Sequence, residues 1–565
     1  MYQILLYLSI FTASLAIIID TPNGKIQGIT NTTLSSTVYH SFLSVRYALA
    51  PTGKLRFKDP QPIVPWTNVY DATYEKNICY QIATNSDRES EDCLFLNIFT
   101  PKDLTDSSFQ SNLSVMVWIH GGGFVSGSGY ISSGFGPKFF MDANVILVTF
   151  NYRLGVFGFL SSGDAVIPGN FGLKDQTMAL KWLQDNIKYF GGDPKKVTIF
   201  GQSSGGSSVG YHLLSRLSKD LFRAAILQSG SALSPMAFQR NETNYTYKTV
   251  KLIDSNFNYS NSSQLLLFLQ NLSATDLDVA AFNVTKTMES PANYQISKGF
   301  FYAPVKEVCH ERAFLTKAQF GLFERGNYNK VPVIIGNTNE ESLALAKLGD
   351  LSFLGDAYDA NPSILVPFDM HLNNESLKGE IGREILNYFS QSEGFLNDSA
   401  KLIRYHSVHD LDKGNVKQAE LMALHSPVYF YQFAYSGKMG NNPYKIPGTE
   451  NVMHSEDLNY LFSKWYSDDI PDNSDLSRFN ITDQLVHFRI MSMWTNFAKL
   501  LNPTPLDIDT DLLENITWKP LEGNTFQYLE INKDLVMKSG YPKSGPYEFW
   551  IDLYNKYAVH PLDTF

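Results

Sequence analysis

Gly201-Gln202-Ser203-Ser204-Gly205 sets a serine hydroxyl among small residues at G-x-S-x-G spacing, after the apolar run VTIF (197–200) and before a helix expected from near Ser207. A serine on such a strand-to-helix turn is held in a strained backbone geometry, and its neighbours two positions away must be small to clear the strand and helix. The same composition would suit a flexible linker, but the flanking elements favour the turn. A serine hydroxyl attacks only when a base takes its proton, and the oxyanion that results needs N–H donors. His120-Gly121-Gly122-Gly123-Phe124, directly after the strand-like run VMVWIH (115–120), offers such donors. Gly122, Gly123 and the N–H of Ser204 are the candidate oxyanion hole, and the chemistry they imply is acyl transfer.

These pieces need a rigid platform. Apolar strand signals recur at 115–120, 144–152, 197–200, 224–230 and 331–336. Between them, residues 175–191 carry Met178, Leu180, Trp182, Leu183, Ile187 and Phe190 on one broad helical face, ended by GGDP. Strands alternating with helices imply an α/β fold with a mostly parallel sheet covered on both faces. Residues 345–450 read as mostly helical, a cap or subdomain on that core, and 241–285 read as polar surface.

The 565-residue chain is 44% hydrophobic and 18% charged, which permits a large core, and its net charge of −10 without a basic cluster argues against nucleic acid. The apolar run Ile4–Ile19 reads as a secretory signal peptide, assigned to residues 1–16, although its start carries no Lys or Arg. No later run is long enough to span a bilayer. Sequons at Asn31, Asn112, Asn241, Asn244, Asn258, Asn261, Asn271, Asn283, Asn374, Asn397, Asn480 and Asn515 agree with a secreted glycoprotein. In an oxidising compartment Cys79 and Cys93 could close a short loop, leaving Cys309 buried or free; this sparse set offers no metal-site spacing.

With these features in hand, the chain resembles the type B carboxylesterase/cholinesterase family of α/β-hydrolases from about residue 22 to 555. The matching blocks include SEDCLFLNIFTP (90–101), HGGGF (120–124), NYRLGVFGFL (151–160), 168–206, LQSGS (227–231), VPVIIGNTNEES (331–342) and MHSEDLNYLF (453–462). The resemblance implies a single α/β-hydrolase domain over 17–565 and a Ser203–Glu341–His454 triad, in the chain order of that fold. Glu340 is the adjacent rival for the acid, and Ser342 stands where the family usually has glycine. It also implies a structural pairing of Glu91 with Arg153, a supporting role for Ser229, and Phe300 either in the acyl pocket or in the core.

Several residues depart from the pattern. Gln202 replaces the glutamate many members carry, as in juvenile hormone esterases. Ser204 replaces the usual alanine. The loop 79–93 has no tryptophan, so a cation–π seat for a quaternary ammonium is not expected. The reading is a secreted serine hydrolase of small carboxylic esters, an esterase rather than a cholinesterase, needing no metal or organic cofactor. The alternative is a silent binding, adhesion or storage protein of the same fold.

Overall fold

The computed structural model describes residues 16–565 apart from 83–85, 106–109, 259–260, 287–295, 465–468, 471 and 523–524. Most of the expected signal peptide, residues 1–15, lies outside the described residues; Ala16 opens the first strand.

Among the described residues, one sheet of 13 strands organises the chain. The strands are β1 (Ala16–Thr21), β2 (Gly24–Thr32), β3 (Val38–Arg46), β4 (Tyr70–Asp71), β5 (Phe95–Thr100), β6 (Leu113–Ile119), β7 (Ile146–Phe150), β8 (Gly192–Gln202), β9 (Ala224–Gln228), β10 (Val333–Thr338), β11 (Val428–Phe433), β12 (Gln527–Ile531) and β13 (Leu535–Ser539). Their order is β1-β2-β3-β5-β7-β6-β8-β9-β10-β11-β12-β13, with β4 beside β2. Pairing is parallel from β7 through β12 and antiparallel at both margins, β1-β2-β3-β5-β7 and β12-β13.

Strand pleating feeds two cores. Along β6, Val115, Val117 and Ile119 join one apolar cluster, and Met116 and Trp118 join the other. Both faces are therefore covered, as a parallel sheet requires. Helix α1 (Phe171–Asn186) starts earlier than its sequence pattern and buries polar residues too, because each has a partner: Lys174 meets Glu307, Asp175 meets Arg153 and Gln176 meets His212. Helix α2 (Ser204–Leu214) begins immediately after Ser203, ahead of the expected Ser207.

Within 345–450, the described residues are largely helical through Ala423, but Val428–Phe433 returns to the sheet as β11, between β10 and β12. The helical excursion thus ends before 450. The run VYFYQF has no alternation to betray a strand, because all six of its residues are buried.

The parallel register aligns the ends that carry chemistry. Ile119 lies opposite Gly201, Gln202 opposite Gln228, and Gln228 opposite Gly336. The loops leaving β6, β8 and β10 therefore emerge side by side at the carboxyl edge of the sheet, where open α/β folds bind ligands.

Candidate active site

Ser203 sits at the β8–α2 turn with φ 59° and ψ −129°, a conformation that costs a non-glycine residue about 1–3 kcal/mol. The surroundings enforce it. The Ser203 N–H donates to the Gln228 carbonyl at 2.9 Å, and its own carbonyl accepts from Ser207 N–H at 2.9 Å. The elbow glycines are steric clearance: a Cβ on Gly205 would lie 2.0 Å from the Ile119 carbonyl oxygen, and one on Gly201 would lie 2.6 Å from the Gly205 backbone.

The loop after β6 lies against this turn. A Cβ on Gly121 would meet Ser203 Cβ at 3.0 Å, and the Phe124 N–H donates to Ser204 Oγ at 3.2 Å. Ser204 therefore ties the glycine loop to α2 through its hydroxyl. Gly122 and Gly123 have φ of 110° and 63°, and a Cβ on Gly122 would sit 2.1 Å from the Ser126 carbonyl oxygen. Their N–H groups have no acceptor among the described residues. His120 beneath them is buried and stacked on Tyr152 at 4.4 Å; burial lowers its pKa to about 4, so the ring is neutral. Half-buried Phe300 flanks the loop, its ring 3.6 Å from where a Gly123 Cβ would stand.

Across the sheet edge, His454 Nδ1 lies 2.5 Å from Glu341 Oε2. The His454 N–H also donates to the Glu341 carbonyl at 3.2 Å. Burial alone would push the Glu341 carboxyl up; the His454 imidazole, through its charge and hydrogen bond, together with the Thr338 N–H, overrides it and holds the group below the usual glutamate range. Glu340 points elsewhere, into an ion pair with Arg404 Nη2 at 2.8 Å and a bond from the Glu450 N–H at 3.0 Å. Of the two adjacent glutamates, it is Glu341 that meets the histidine. His454 Nε2 lies 3.0 Å from the carboxamide nitrogen of Gln202, next to Ser203.

Supports invisible in the sequence surround this group. The Ser342 N–H donates to Ser407 Oγ at 3.0 Å and Asn337 Nδ2 donates to Asp412 Oδ1 at 3.0 Å. One π-helical segment, Ser407–Asp412, thereby holds both flanks of the turn that carries Glu341. Asp412 is pushed up to about 7 by burial, and the Glu341 charge adds to that against Lys543. Asp457 is pushed up to about 6, chiefly by burial, and accepts from Gln228 Nε2 at 2.7 Å.

Other expectations resolve individually. Ser229 has φ 47° and donates its N–H to the Gly336 carbonyl at 2.8 Å, beside the Glu341 turn. The pairing of Glu91 with Arg153 does not form. Glu91 takes Arg56, through Nε and Nη2 at 2.6 Å each, and Arg153 takes Asp175 at 2.7 Å. The Arg153 N–H donates to the same Asp175 carboxylate, a backbone constraint that no spacing in sequence reveals. Cys79 and Cys93 are joined in a disulfide, and Cys309 is free and exposed. None of the twelve sequon asparagines is buried.

Residues 16–550 match the carboxylesterase family. The juvenile hormone esterase of Tribolium castaneum is 33% identical over 542 residues, covering 89% of this chain and 86% of that protein. Esterase FE4 of Myzus persicae is 32% identical, covering 90% of this chain and 88% of that protein. Among solved structures, juvenile hormone esterase from Manduca sexta with OTFP covalently attached superposes with a TM-score of 0.82 at 28% identity, over 96% of this chain and 100% of that one. The chain belongs to the carboxylesterase family and is an ester hydrolase of the α/β-hydrolase fold.

Proposed function

We propose that this hydrolase cleaves carboxylic esters through an acyl-serine on Ser203, with His454 as base and Glu341 as its orienting acid. The observation that supports this reading is the His454–Glu341 contact at 2.5 Å, with His454 Nε2 3.0 Å from the carboxamide of Gln202, the residue before Ser203 on its strained turn. Ser203 Oγ attacks the ester carbonyl while its proton passes to His454 Nε2. That proton then leaves with the alcohol as the C–O bond breaks. Water attacks the acyl-serine, gives a proton to His454, and the carboxylic acid departs as Ser203 is reprotonated. Glu341 keeps the Nδ1 proton in place and offsets the imidazolium charge. The N–H groups of Gly122, Gly123 and Ser204 receive the oxyanion; losing one such donor costs roughly 3–4 kcal/mol of barrier.

Gln202 is uncharged and the 79–93 loop has no tryptophan, which favours neutral esters over quaternary ammonium ones. The Phe300 ring beside Gly123 supports a role for it in limiting the acyl group. A secreted location is supported by the Cys79–Cys93 disulfide, the unburied sequons and the apolar N-terminal run. No single helix among the described residues is long and apolar enough to cross a membrane.

The test is covalent labelling with an organophosphate followed by peptide mapping, with p-nitrophenyl ester turnover in parallel. Labelling at Ser203, lost with turnover in a folded Ser203→Ala variant, is expected. A folded chain that takes no label, or a Ser203→Ala variant that turns over normally, overturns the assignment.

A further inference from the structure

In a trans peptide the C=O and the N–H that follows it point in opposite directions. The Gly122 N–H shares its peptide with the Gly121 carbonyl, and the Gly123 N–H shares its own with the Gly122 carbonyl. Whatever grips those two carbonyls therefore sets where the candidate oxyanion donors face. His120 Nδ1 lies 2.8 Å from the Gly121 oxygen, which can only accept, so Nδ1 carries the ring proton and donates it. The Gly122 oxygen accepts the Val125 N–H at 3.1 Å and the Ser126 N–H at 3.0 Å.

Gly127 closes this turn against His120. Its φ is 108°, and a Cβ there would lie 2.5 Å from His120 Nδ1 and 2.7 Å from the Gly121 oxygen. Gln81 holds it there. The Gln81 carboxamide, at 8% exposure, donates from Nε2 to the Gly127 carbonyl at 3.0 Å and accepts the Gly127 N–H on Oε1 at 2.9 Å. A backbone N–H only donates and a carbonyl only accepts, so Gly127 itself fixes which way this amide faces. The next residue adds a second tie, from the Ile82 N–H to the Val125 carbonyl at 3.0 Å. Both residues follow Cys79 in the loop closed by the Cys79–Cys93 disulfide.

We propose that Gln81 is a positioning residue for the oxyanion hole, an inference that rests on reading Gly122 and Gly123 as its donors. By pairing with both backbone groups of Gly127, it presses that residue onto His120 and holds the Gly121 and Gly122 carbonyls to the back of the loop. The Gly122 and Gly123 N–H groups are thereby left for the oxyanion. The residue type matters. A glutamate would keep the acceptor but set a carboxylate oxygen against the Gly127 carbonyl, and an asparagine is one methylene short. The oxyanion exists only after attack, so loosening the loop weakens the transition state more than the bound ester.

The experiment compares the parent with Gln81→Met, which keeps the length of the side chain and removes both bonds. The readouts are p-nitrophenyl acetate kinetics per competent site, counted by active-site titration, and inhibition by an aryl trifluoromethyl ketone. Ser203 Oγ adds to the ketone carbon, the hydroxyl proton passes to His454, and the ketone oxygen becomes an oxyanion that needs the same donors. Per site, kcat/KM is expected to fall about 10–100-fold, less than the outright loss of a donor, and the inhibition constant of the ketone to rise by a similar factor. A merely structural role would lower the number of competent sites or the Tm and leave both constants alone. Deuterium exchange of the backbone amides across 124–129 is expected to quicken as well. Folded Gln81→Met with parental constants per site, or with parental exchange, overturns the inference. Gln81→Glu stands in should the methionine variant fail to fold, with losses expected in the same direction and the same outcomes overturning it. A parent that neither turns over nor takes the ketone sinks the acyl-serine reading instead, and exchange alone then decides whether Gln81 braces this loop.

Discussion

Exchanging Glu341 for glutamine removes a charge and an acceptor from a side chain that is 1% exposed, while leaving its shape. In the parent, Oε1 accepts the Thr338 N–H at 2.7 Å and Oε2 faces His454 Nδ1 at 2.5 Å. A glutamine has one oxygen for these two tasks. The Thr338 N–H is held by β10 and claims it, which turns the amide NH2 toward the ring. Nδ1 must then accept, the ring proton moves to Nε2, and the lone pair that the proposed mechanism needs for the Ser203 proton is gone. Gln202 can turn its own oxygen to the new Nε2–H, which stabilises the wrong tautomer. In triads such a carboxylate-to-amide change costs on the order of 10,000-fold in kcat, about 5 kcal/mol of barrier. The control is Glu340→Gln. Glu340 contacts Arg404, Lys543 and the Glu450 N–H, so its loss falls on stability, by about 2 kcal/mol given that Arg404 is partly exposed. Its kcat stays within a few-fold. The assay is p-nitrophenyl acetate turnover, normalised by active-site titration, with thermal melts by circular dichroism. A Glu341→Gln enzyme keeping more than about a tenth of parental kcat would refute the reasoning, as would a folded Glu340→Gln enzyme that is the more impaired of the two.

Other perturbations test neighbouring links. Gly205→Ala forces a Cβ to within 2.0 Å of the Ile119 carbonyl oxygen, against backbone that cannot swing away. It should cost about 3 kcal/mol or more, seen as a large drop in Tm or loss of soluble protein, and a parental Tm would contradict the clearance argument. Asp457 titrates near 6 in the folded chain against an ordinary 3.8, chiefly through burial. The folded state therefore holds this proton more tightly than the unfolded one, and its contribution to stability is lost as pH rises from about 4 to about 6. In Asp457→Asn that loss disappears, so the difference in Tm, variant minus parent, should grow across this window and level off above it. A flat difference curve would show that Asp457 is not the group responsible.

The geometry of the elbow was legible because it is local. Gly201 and Gly205 flank Ser203 where strand, turn and helix crowd within a few residues, and that crowding leaves a mark in composition. The same holds for the glycines after β6 and for the apolar strands of the parallel sheet. The antiparallel margins and β11 were not legible. A fully buried strand such as VYFYQF shows no period, and short edge strands depend on neighbours far away in the chain.

Sequence alone, then, determined a serine on a strained turn, a glycine loop beside it, and an α/β platform, because each follows from steric and periodic rules acting within a few residues. Only the tertiary structure decided which of two adjacent glutamates meets His454, which arginine takes Glu91, and that the Gln202 carboxamide reaches the ring. The first and last of those choices depend on the register of β8, β9 and β10 and on loops separated by a hundred residues or more, where a shift of one position exchanges a partner for a neighbour facing the other way.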